Sequence, residues 1–332
     1  MHDLIIKVAS LGVLLHGILE IRAENISPIE KKLDESGALL EYSEAQIKNG
    51  IQSPKKLVSV KFVKPINFEA LALLQELPNP NEVSVFLDGV RAAESTKILK
   101  HLQSLSQVQG ITVSFTARDV ISDNDILPLC DLEKLRGIQV LGKGSLITDR
   151  SLERIATCTE ISVLALHSTS ITDEGIKKLQ NLKKLNTLWL ADNDISGKTL
   201  TFPSDNAITH LNLAYTRVTS QELKNLANAR KLQSLNLIQC KMNLGGFNEI
   251  ANLKDLEYLH LGKTEVDDDC IAELNSLNKL EELNVAGCPI TDKCISTLES
   301  MPSLKSLTIK QTKISEIGYQ KLKKTISNTD YK

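Results

Sequence analysis

This sequence has few aromatic residues and no large excess of positive or negative charge. Only 4% of its 332 residues are aromatic and a single tryptophan is present, so few large side chains are available to anchor a partner. The formal net charge is -2, which provides no strong attraction to nucleic acid or to an anionic membrane surface. We therefore expect no nucleic-acid partner.

Sequence motifs of catalysis and of metal or cofactor binding are missing as well. None of the six cysteines forms a C-x-x-C pair, and there is no Gly-rich phosphate loop, G-x-S-x-G motif or H-E-x-x-H motif. His167, His210 and His260 lie in separate segments and have no carboxylate partner at metal-ligand spacing. The acidic run 267–269 is too compact for a calcium loop, which distributes its oxygen ligands over about 12 residues. We expect no enzymatic activity, no metal and no cofactor.

Long apolar runs are also missing, so we expect no membrane span. In residues 1–23, Lys7 precedes an apolar stretch of about 12 residues, which is too short to cross a bilayer, and Ala23 stands at a suitable cleavage point. This pattern is typical of a secretory signal peptide and predicts a periplasmic or secreted protein. The alternative interpretation is an amphipathic capping helix in a cytoplasmic protein.

What the sequence does contain is one phrase, L-x-x-L-x-L, repeated seven times from Ile161 to Ile309. Successive copies begin 23 or 24 residues apart, with isoleucine or valine in some of the leucine positions. Each copy predicts a short strand, and the apolar residues at helical intervals that follow it predict a helix. Such units bury their apolar edges only by stacking, so we predict an α/β leucine-rich repeat solenoid. Its parallel β-sheet would line the concave face of a horseshoe, with helices on the convex face.

Weaker copies of the phrase extend the repeats toward the N-terminus. They begin at Leu57, Pro80, Val108 and Leu135, with steps of 23, 28, 27 and 26 residues up to the regular series. We therefore predict about 11 repeats in a leucine-rich repeat domain of residues 57–332. Its repeats are irregular over 57–160 and regular over 161–322.

Residues 24–56 are predicted to form an N-terminal cap that covers the open edge of the first repeat. Within them, Ser27-Pro28-Ile29-Glu30 has the pattern of a capping box with proline at the first helical position. This pattern predicts a helix that ends near Gly37, followed by a strand at 38–42.

Capping residues also mark the helices of the repeats. Thr172, Thr219 and Thr291 are suitable N-caps, and the acidic residues that follow Thr172 and Thr291 favour a helix N-terminus. The segment after Leu190 lacks this pattern and carries Phe202-Pro203 instead. We predict an irregular loop there in place of a helix.

One position after each strand holds a small polar or thiol side chain, three residues beyond the last leucine of the phrase. A hydrogen bond from this side chain would satisfy backbone groups that the turn otherwise leaves unpaired. We predict that the column forms a structural ladder. It consists of Thr169, Asn193, Thr216, Cys240, Thr264, Cys288 and Thr312.

The alignment of the repeats also predicts the roles of several cysteines. Cys240 and Cys288 are interpreted as structural, since buried cysteines are usually inert. Cys158 replaces a buried leucine and is predicted to lie in the core. Cys270 and Cys294 occupy equivalent places one repeat apart, and the sequence leaves open whether they form a disulfide.

Residues between the leucines of each strand point away from the core, because side chains alternate along a strand. These outward positions hold the sole tryptophan together with asparagine, histidine and tyrosine, and almost no formal charge. Trp and Tyr are enriched at binding hot spots, although any solenoid must place polar residues on this face. We predict a protein or peptide partner on the concave face, with a glycan as the weaker option, and a monomeric chain. The predicted partner-binding residues are Trp189, His210, Asn212, Tyr215, Asn236, Tyr258 and His260.

With I-T-D at 147–149, 171–173 and 290–292, the units resemble the cysteine-containing type of leucine-rich repeat, L-x-x-L-x-L-x-x-C/T-x-I-T-D-x-x-L. This resemblance covers residues 57–322. The type is known from eukaryotic F-box/leucine-rich-repeat proteins and from secreted bacterial proteins, especially those of planctomycete-like bacteria. It implies a non-catalytic protein-interaction scaffold. The alternative is a substrate-recognition subunit of an F-box-like ubiquitin ligase, for which residues 24–56 lack the expected leucine-proline opening.

Overall fold

The computed structural model describes the second half of the chain almost without interruption and the first half in separate segments. The described residues are 28–35, 38–42, 47–48, 51–52, 57–62, 72–76, 82–86, 98, 100–104, 110–116, 121–141, 145–243 and 245–331. The predicted signal peptide at 1–23 lies outside them.

Parallel strands dominate the described residues. The strands are β1 Ala38–Tyr42, β2 Ile47–Lys48, β3 Ile51–Gln52, β4 Leu57–Phe62, β5 Glu82–Phe86, β6 Gly110–Thr116, β7 Leu135–Leu141, β8 Val163–Leu166, β9 Thr187–Trp189, β10 His210–Asn212, β11 Ser234–Asn236, β12 Tyr258–His260, β13 Glu282–Asn284, β14 Ser306–Thr308 and β15 Asn328–Asp330. Thirteen of them form one open sheet in the order β1-β4-β5 and then consecutively to β15, while β2 and β3 form a separate antiparallel pair. Strand β1 is antiparallel to β4, and all later neighbours are parallel. The eleven predicted repeats therefore correspond to the eleven parallel strands β4 to β14.

Helical segments connect the parallel strands. The α-helices are α1 Pro28–Glu35, α2 Asp123–Ile126, α3 Asp149–Ile155, α4 Asp173–Lys178, α5 Phe247–Ala251, α6 Asp268–Glu273, α7 Ile295–Ser300 and α8 Glu316–Thr325. Short 3-10 helices occupy Leu74–Glu76, Leu127–Asp131, Leu179–Asn181, Ser220–Leu226, Leu274–Ser276 and Asp292–Cys294. Helix α1 and strand β1 lie where the capping pattern predicted them. No helix occurs between β9 and β10, as predicted, and Leu200 of that loop is buried in the core instead.

The core lies between the sheet and the helical layer. Leu211 pairs in register with Leu188 on one side and with Leu235 on the other, and each of these side chains is 1% exposed. Apolar helix residues such as Ile271 and Leu298 belong to the same buried cluster. Burial of apolar surface stabilises a fold by about 25 cal/mol per Å². Because each repeat buries its apolar surface against the two repeats beside it, contacts with these neighbours supply most of its stability.

The register of the irregular repeats differs from the prediction at one step. The phrase spacing predicts that Ile111 aligns with Ile138, whereas in the structure Val113 pairs with Ile138 and Ile111 pairs with Leu135. The ladder is irregular between Ile111 and Thr112. A shift of two residues keeps the same side chains on the inner face, so the alternation of apolar residues does not distinguish the two registers. The other irregular steps pair as predicted.

Aspartates connect the starts of neighbouring helical segments. The carboxylate of Asp149 accepts hydrogen bonds from the backbone N–H of Thr172 at 2.8 Å and from its hydroxyl at 2.7 Å. Thr172 is itself the N-cap of α4. Asp268 and Asp292 make the same pair of bonds to the capping residue of the next repeat. Of these three aspartates, Asp292 was predicted to favour the start of its own helical segment. All three also tie their segment to the next one through charge-assisted bonds.

Candidate functional site

The outward side chains of successive strands form a continuous row across the sheet. Each member pairs in register with the next strand's member. We call it the central row, and it consists of Ala165, Trp189, Asn212, Asn236, His260, Asn284 and Thr308. A second row, one position earlier on each strand from β9 onward, contains Thr187, His210, Ser234, Tyr258, Glu282 and Ser306. Six of the seven predicted partner-binding residues lie in these two rows.

Tyr215 is the predicted residue that does not lie on a strand. It lies in the turn after β10 with φ of 59°, in the left-handed region. Its N–H donates to the carbonyl of Ile238 at 2.8 Å, which continues the sheet's hydrogen bonding beyond the strand. Other repeats use the same turn. Left-handed residues at this place are Ser168, Asp192, Gln239, Lys263, Gln311 and Gly287.

Trp189 is held from one side by a residue that sequence reasoning did not assign to the site. The imidazole of His167 meets the indole edge-on, with ring centroids 6.1 Å apart and an interplanar angle of 77°. Burial lowers the pKa of His167 to about 4, so this ring is neutral at physiological pH. Its buried Nε2 atom has no hydrogen-bond partner among the described residues. His167 lies two residues beyond Ala165, and the two-residue alternation was the signal that could have placed it on this face.

The asparagines of the central row are fixed by their own backbone. The side-chain oxygens of Asn212, Asn236 and Asn284 each accept the N–H two residues further on, at 3.0 Å. This bond orients each carboxamide, because its oxygen is already bound and its amino group must point elsewhere. Asn212 and Asn236, which are half-buried, therefore present amide donors in an orientation set before any partner arrives, whereas Asn284 is only 7% exposed.

An acidic side chain holds the histidine of the row. His260 Nε2 lies 2.9 Å from Glu282 Oε1 on the adjacent strand, and the two side chains are 19% and 29% exposed. Beside them, Tyr258 is 38% exposed, one of the most exposed large apolar residues in the described part of the chain. His210 is half-buried, and this burial lowers its pKa while Glu257 opposes the shift. The surface thus combines aromatic rings with neutral hydrogen-bonding groups and one carboxylate.

The polar column behind the turns is directed into the molecule. Asn193 donates to the carbonyls of Leu166 and Leu190, at 2.7 and 2.9 Å, and so bridges two repeats. Thr264 and Cys288 share the carbonyl of Leu261, at 2.6 and 3.1 Å. Thr216 and Cys240 share that of Leu213 in the same way. A thiol or hydroxyl at this position donates a hydrogen bond to a buried carbonyl. The column therefore stabilises the turns that follow the strands of the site.

All six cysteines are free thiols. Cys270 and Cys294, for which the sequence left a disulfide open, are separately buried, and the Cys294 thiol donates to the Thr291 carbonyl at 3.1 Å. Cys158 packs against the core as predicted but is only partly buried.

Within the described residues, no helix is both long and apolar enough to cross a membrane. The same part of the chain contains no group of three or more histidine, cysteine or acidic residues placed to hold a metal ion.

Comparison with known proteins identifies the architecture. No protein-family profile and no curated protein matches this sequence. A crystal structure of an internalin (inlF) from Listeria monocytogenes superposes with a TM-score of 0.57, covering 83% of this chain and 86% of its own, at 20% identity. The fold is a leucine-rich repeat solenoid. At 20% identity this similarity concerns the fold alone.

Two further solved structures are similar to a lesser degree. An internalin C2 from Listeria monocytogenes gives a TM-score of 0.43 at 27% identity, covering 56% of this chain and 76% of its own. A leucine-rich repeat protein from Leptospira interrogans gives 0.38 at 14% identity, covering 81% and 93%. At these TM-scores neither superposes closely on this solenoid, and the cysteine-containing repeat type stays a prediction.

Proposed function

We propose that this solenoid is a non-catalytic scaffold that binds a protein or peptide on the outward face of strands β9 to β12, the predicted concave face. The observation that carries the proposal is the in-register row Trp189, Asn212, Asn236 and His260, with Tyr258 exposed beside it. Neighbouring strands lie about 4.8 Å apart, so these side chains span roughly 14 Å of surface.

Contacts that restrict the motion of these side chains support the proposal. Trp189 contacts His167, the asparagines are held by backbone N–H groups, and His260 is held by Glu282. Immobilising a free side chain on binding costs about 0.5–1.5 kcal/mol, and a side chain that is already fixed avoids part of that cost. A rigid sheet that presents fixed aromatic and amide groups is therefore suited to recognition.

The chemistry of the surface defines the class of partner. Carboxamide and imidazole groups and a tyrosine hydroxyl recognise backbone carbonyls and polar side chains, while indole and phenol rings bury apolar groups. Lysine and arginine, which binding to nucleic-acid phosphates requires, do not occur among the four row residues or at Tyr258. A polypeptide segment satisfies both the polar and the apolar part of this surface.

A double substitution tests the proposal once a partner has been captured. Trp189→Ala with Tyr258→Ala should lose most of the affinity, since a hot-spot residue contributes about 2 kcal/mol or more, roughly 30-fold each. The matched control is Lys177→Ala with Glu273→Ala, two exposed residues of α4 and α6. Undiminished binding by a folded Trp189/Tyr258 variant would place the partner elsewhere on the solenoid.

We also propose export, on the strength of the sequence pattern in residues 1–23, which lie outside the described part of the chain. N-terminal sequencing of the native protein tests it. A start near Glu24 supports export, whereas an intact Met1 contradicts it.

A further inference from the structure

The proposed surface differs in chemistry between its two ends. At the β9 end, Trp189 pairs in register with Ala165 on one side and with Asn212 on the other, and all three lack a formal charge. At the β12 end, the exposed Tyr258 pairs in register with Glu282 of β13. One end of the surface is therefore aromatic and neutral, and the other is aromatic and anionic.

The Glu282 carboxylate is held beside Tyr258 and can accept further hydrogen bonds. Its Oε1 lies 2.9 Å from His260 Nε2, and its side chain is 29% exposed. A carboxylate has about four acceptor sites, so this contact leaves room for a donor from a partner. Lys305 is bound to another carboxylate, that of Glu281, at 2.6 Å. A cation above the Tyr258 ring would be attracted by the ring and by Glu282, so charge complementarity favours an arginine or lysine side chain here.

Hydrogen-bond donors lie between the two ends. The side-chain oxygens of Asn212 and Asn236 already accept backbone N–H groups at 3.0 Å, so their amino groups point elsewhere. A partner that covers such a donor without offering an acceptor weakens its own binding. An extended segment leaves its backbone carbonyls free, whereas a helix binds its carbonyls internally. The middle of the surface therefore favours an extended segment over a helix.

The distance between the two ends sets the length of that segment. Trp189 and Tyr258 lie three strands apart, roughly 14 Å. Tyr258 also precedes His260, the central-row residue of its own strand, by one outward position, which is two residues or about 7 Å. The two rings are thus roughly 16 Å apart, a span that an extended chain covers in about five residues at ~3.3 Å each.

Given the proposed function, we propose that the partner presents an extended polypeptide segment that crosses strands β9 to β12. An apolar side chain of the segment lies on Trp189, and an arginine or lysine side chain lies on Tyr258 and bonds to Glu282. The two side chains stand about four to six residues apart in the segment. Backbone carbonyls between them accept hydrogen bonds from Asn212 and Asn236.

Peptide selection on the folded full-length chain tests the conformation and the spacing. The probe is a phage library of random peptides of about 12 residues, which exceed the span of roughly 16 Å when extended. Peptides that bind the wild type but not Trp189→Ala with Tyr258→Ala should share an apolar and a basic residue at the proposed spacing. Synthetic versions with the same composition and the basic residue moved next to the apolar one should lose affinity about tenfold or more in fluorescence polarisation.

Replacement of arginine by citrulline in a selected peptide tests the anionic end. The exchange removes the charge and should weaken binding to the wild type about tenfold. Against Glu282→Gln it should have little effect, because the carboxylate that the arginine bonds is gone. The control is Glu273→Gln, the same substitution at an exposed position of α6, which should respond to citrulline like the wild type.

Three results would overturn the proposal. Peptides that depend on Trp189 and Tyr258 but show no preferred spacing would refute the extended crossing and leave the proposed function standing. An equal citrulline effect on the wild type and on Glu282→Gln would refute the basic side chain at this end. Failure to select any peptide that depends on the two rings would refute a linear segment as the partner. The proposed function would then still be tested separately, by binding of a captured partner to the same double variant.

Discussion

Truncation of one strand leucine tests whether the repeats stack as described. Leu235→Ala removes a side chain that is 1% exposed and lies in register between Leu211 and Leu259. Both neighbours belong to rigid strands, so the cavity can collapse only partly. A buried leucine replaced by alanine costs about 2–5 kcal/mol.

The assay is urea unfolding followed by far-UV circular dichroism. With a slope of about 3 kcal/mol per M, the midpoint should fall by roughly 1 M urea. The control is Gln233→Ala, two residues earlier on the same segment. The Gln233 side chain is half-buried. Its backbone carbonyl, which accepts from Glu257 and Tyr258, is unchanged in the variant. We expect a cost of about 0.5 kcal/mol or less, and equal shifts at the two sites would refute the register.

Two further predictions concern the aspartates that join neighbouring helices. Gly175→Ala should destabilise the fold by about 1–3 kcal/mol, because an added Cβ would overlap the Asp149 carboxylate and lie 2.7 Å from Leu152 Cδ1. The control is Gly245→Ala, whose added Cβ would meet the Asn243 side-chain oxygen at 3.3 Å, and it should cost much less in the same urea assay. Hydrogen bonds from the Ser315 hydroxyl and N–H lower the pKa of Asp292 below its ordinary 3.8. Its contribution to stability is therefore present above that value and lost as the pH falls through the folded pKa. Asp292→Asn should flatten the acid decline of the urea midpoint below about pH 4, and an unchanged decline would contradict the assignment.

The repeat phrase was sufficient to predict the strands of the regular series, because every strand repeats one burial pattern at a constant period. It did not predict the shift between β6 and β7, where a two-residue slip preserves the inner face. It also missed β15, since Asn328–Asp330 has no leucine pattern and gains its strand conformation by pairing with β14.

The candidate site, like the fold, was predicted only in part from the sequence. Alternation along the strands predicted which residues share the outward face, and six of seven lie in two adjoining rows. The sequence did not predict the backbone at Tyr215, where the chain turns through a left-handed residue after β10, a conformation that other non-glycine residues of this solenoid also adopt without a sequence signature.

The sole tryptophan allows the central claim to be tested at one atom. Trp189 lies on β9, at one end of the proposed surface, and it is the sole tryptophan, so 5-fluorotryptophan labelling yields one 19F resonance that reports on this face. Addition of an unlabelled partner whose binding is established independently should shift or broaden that resonance in proportion to the bound fraction. A resonance that keeps its position and width while the partner is fully bound would contradict binding at this face.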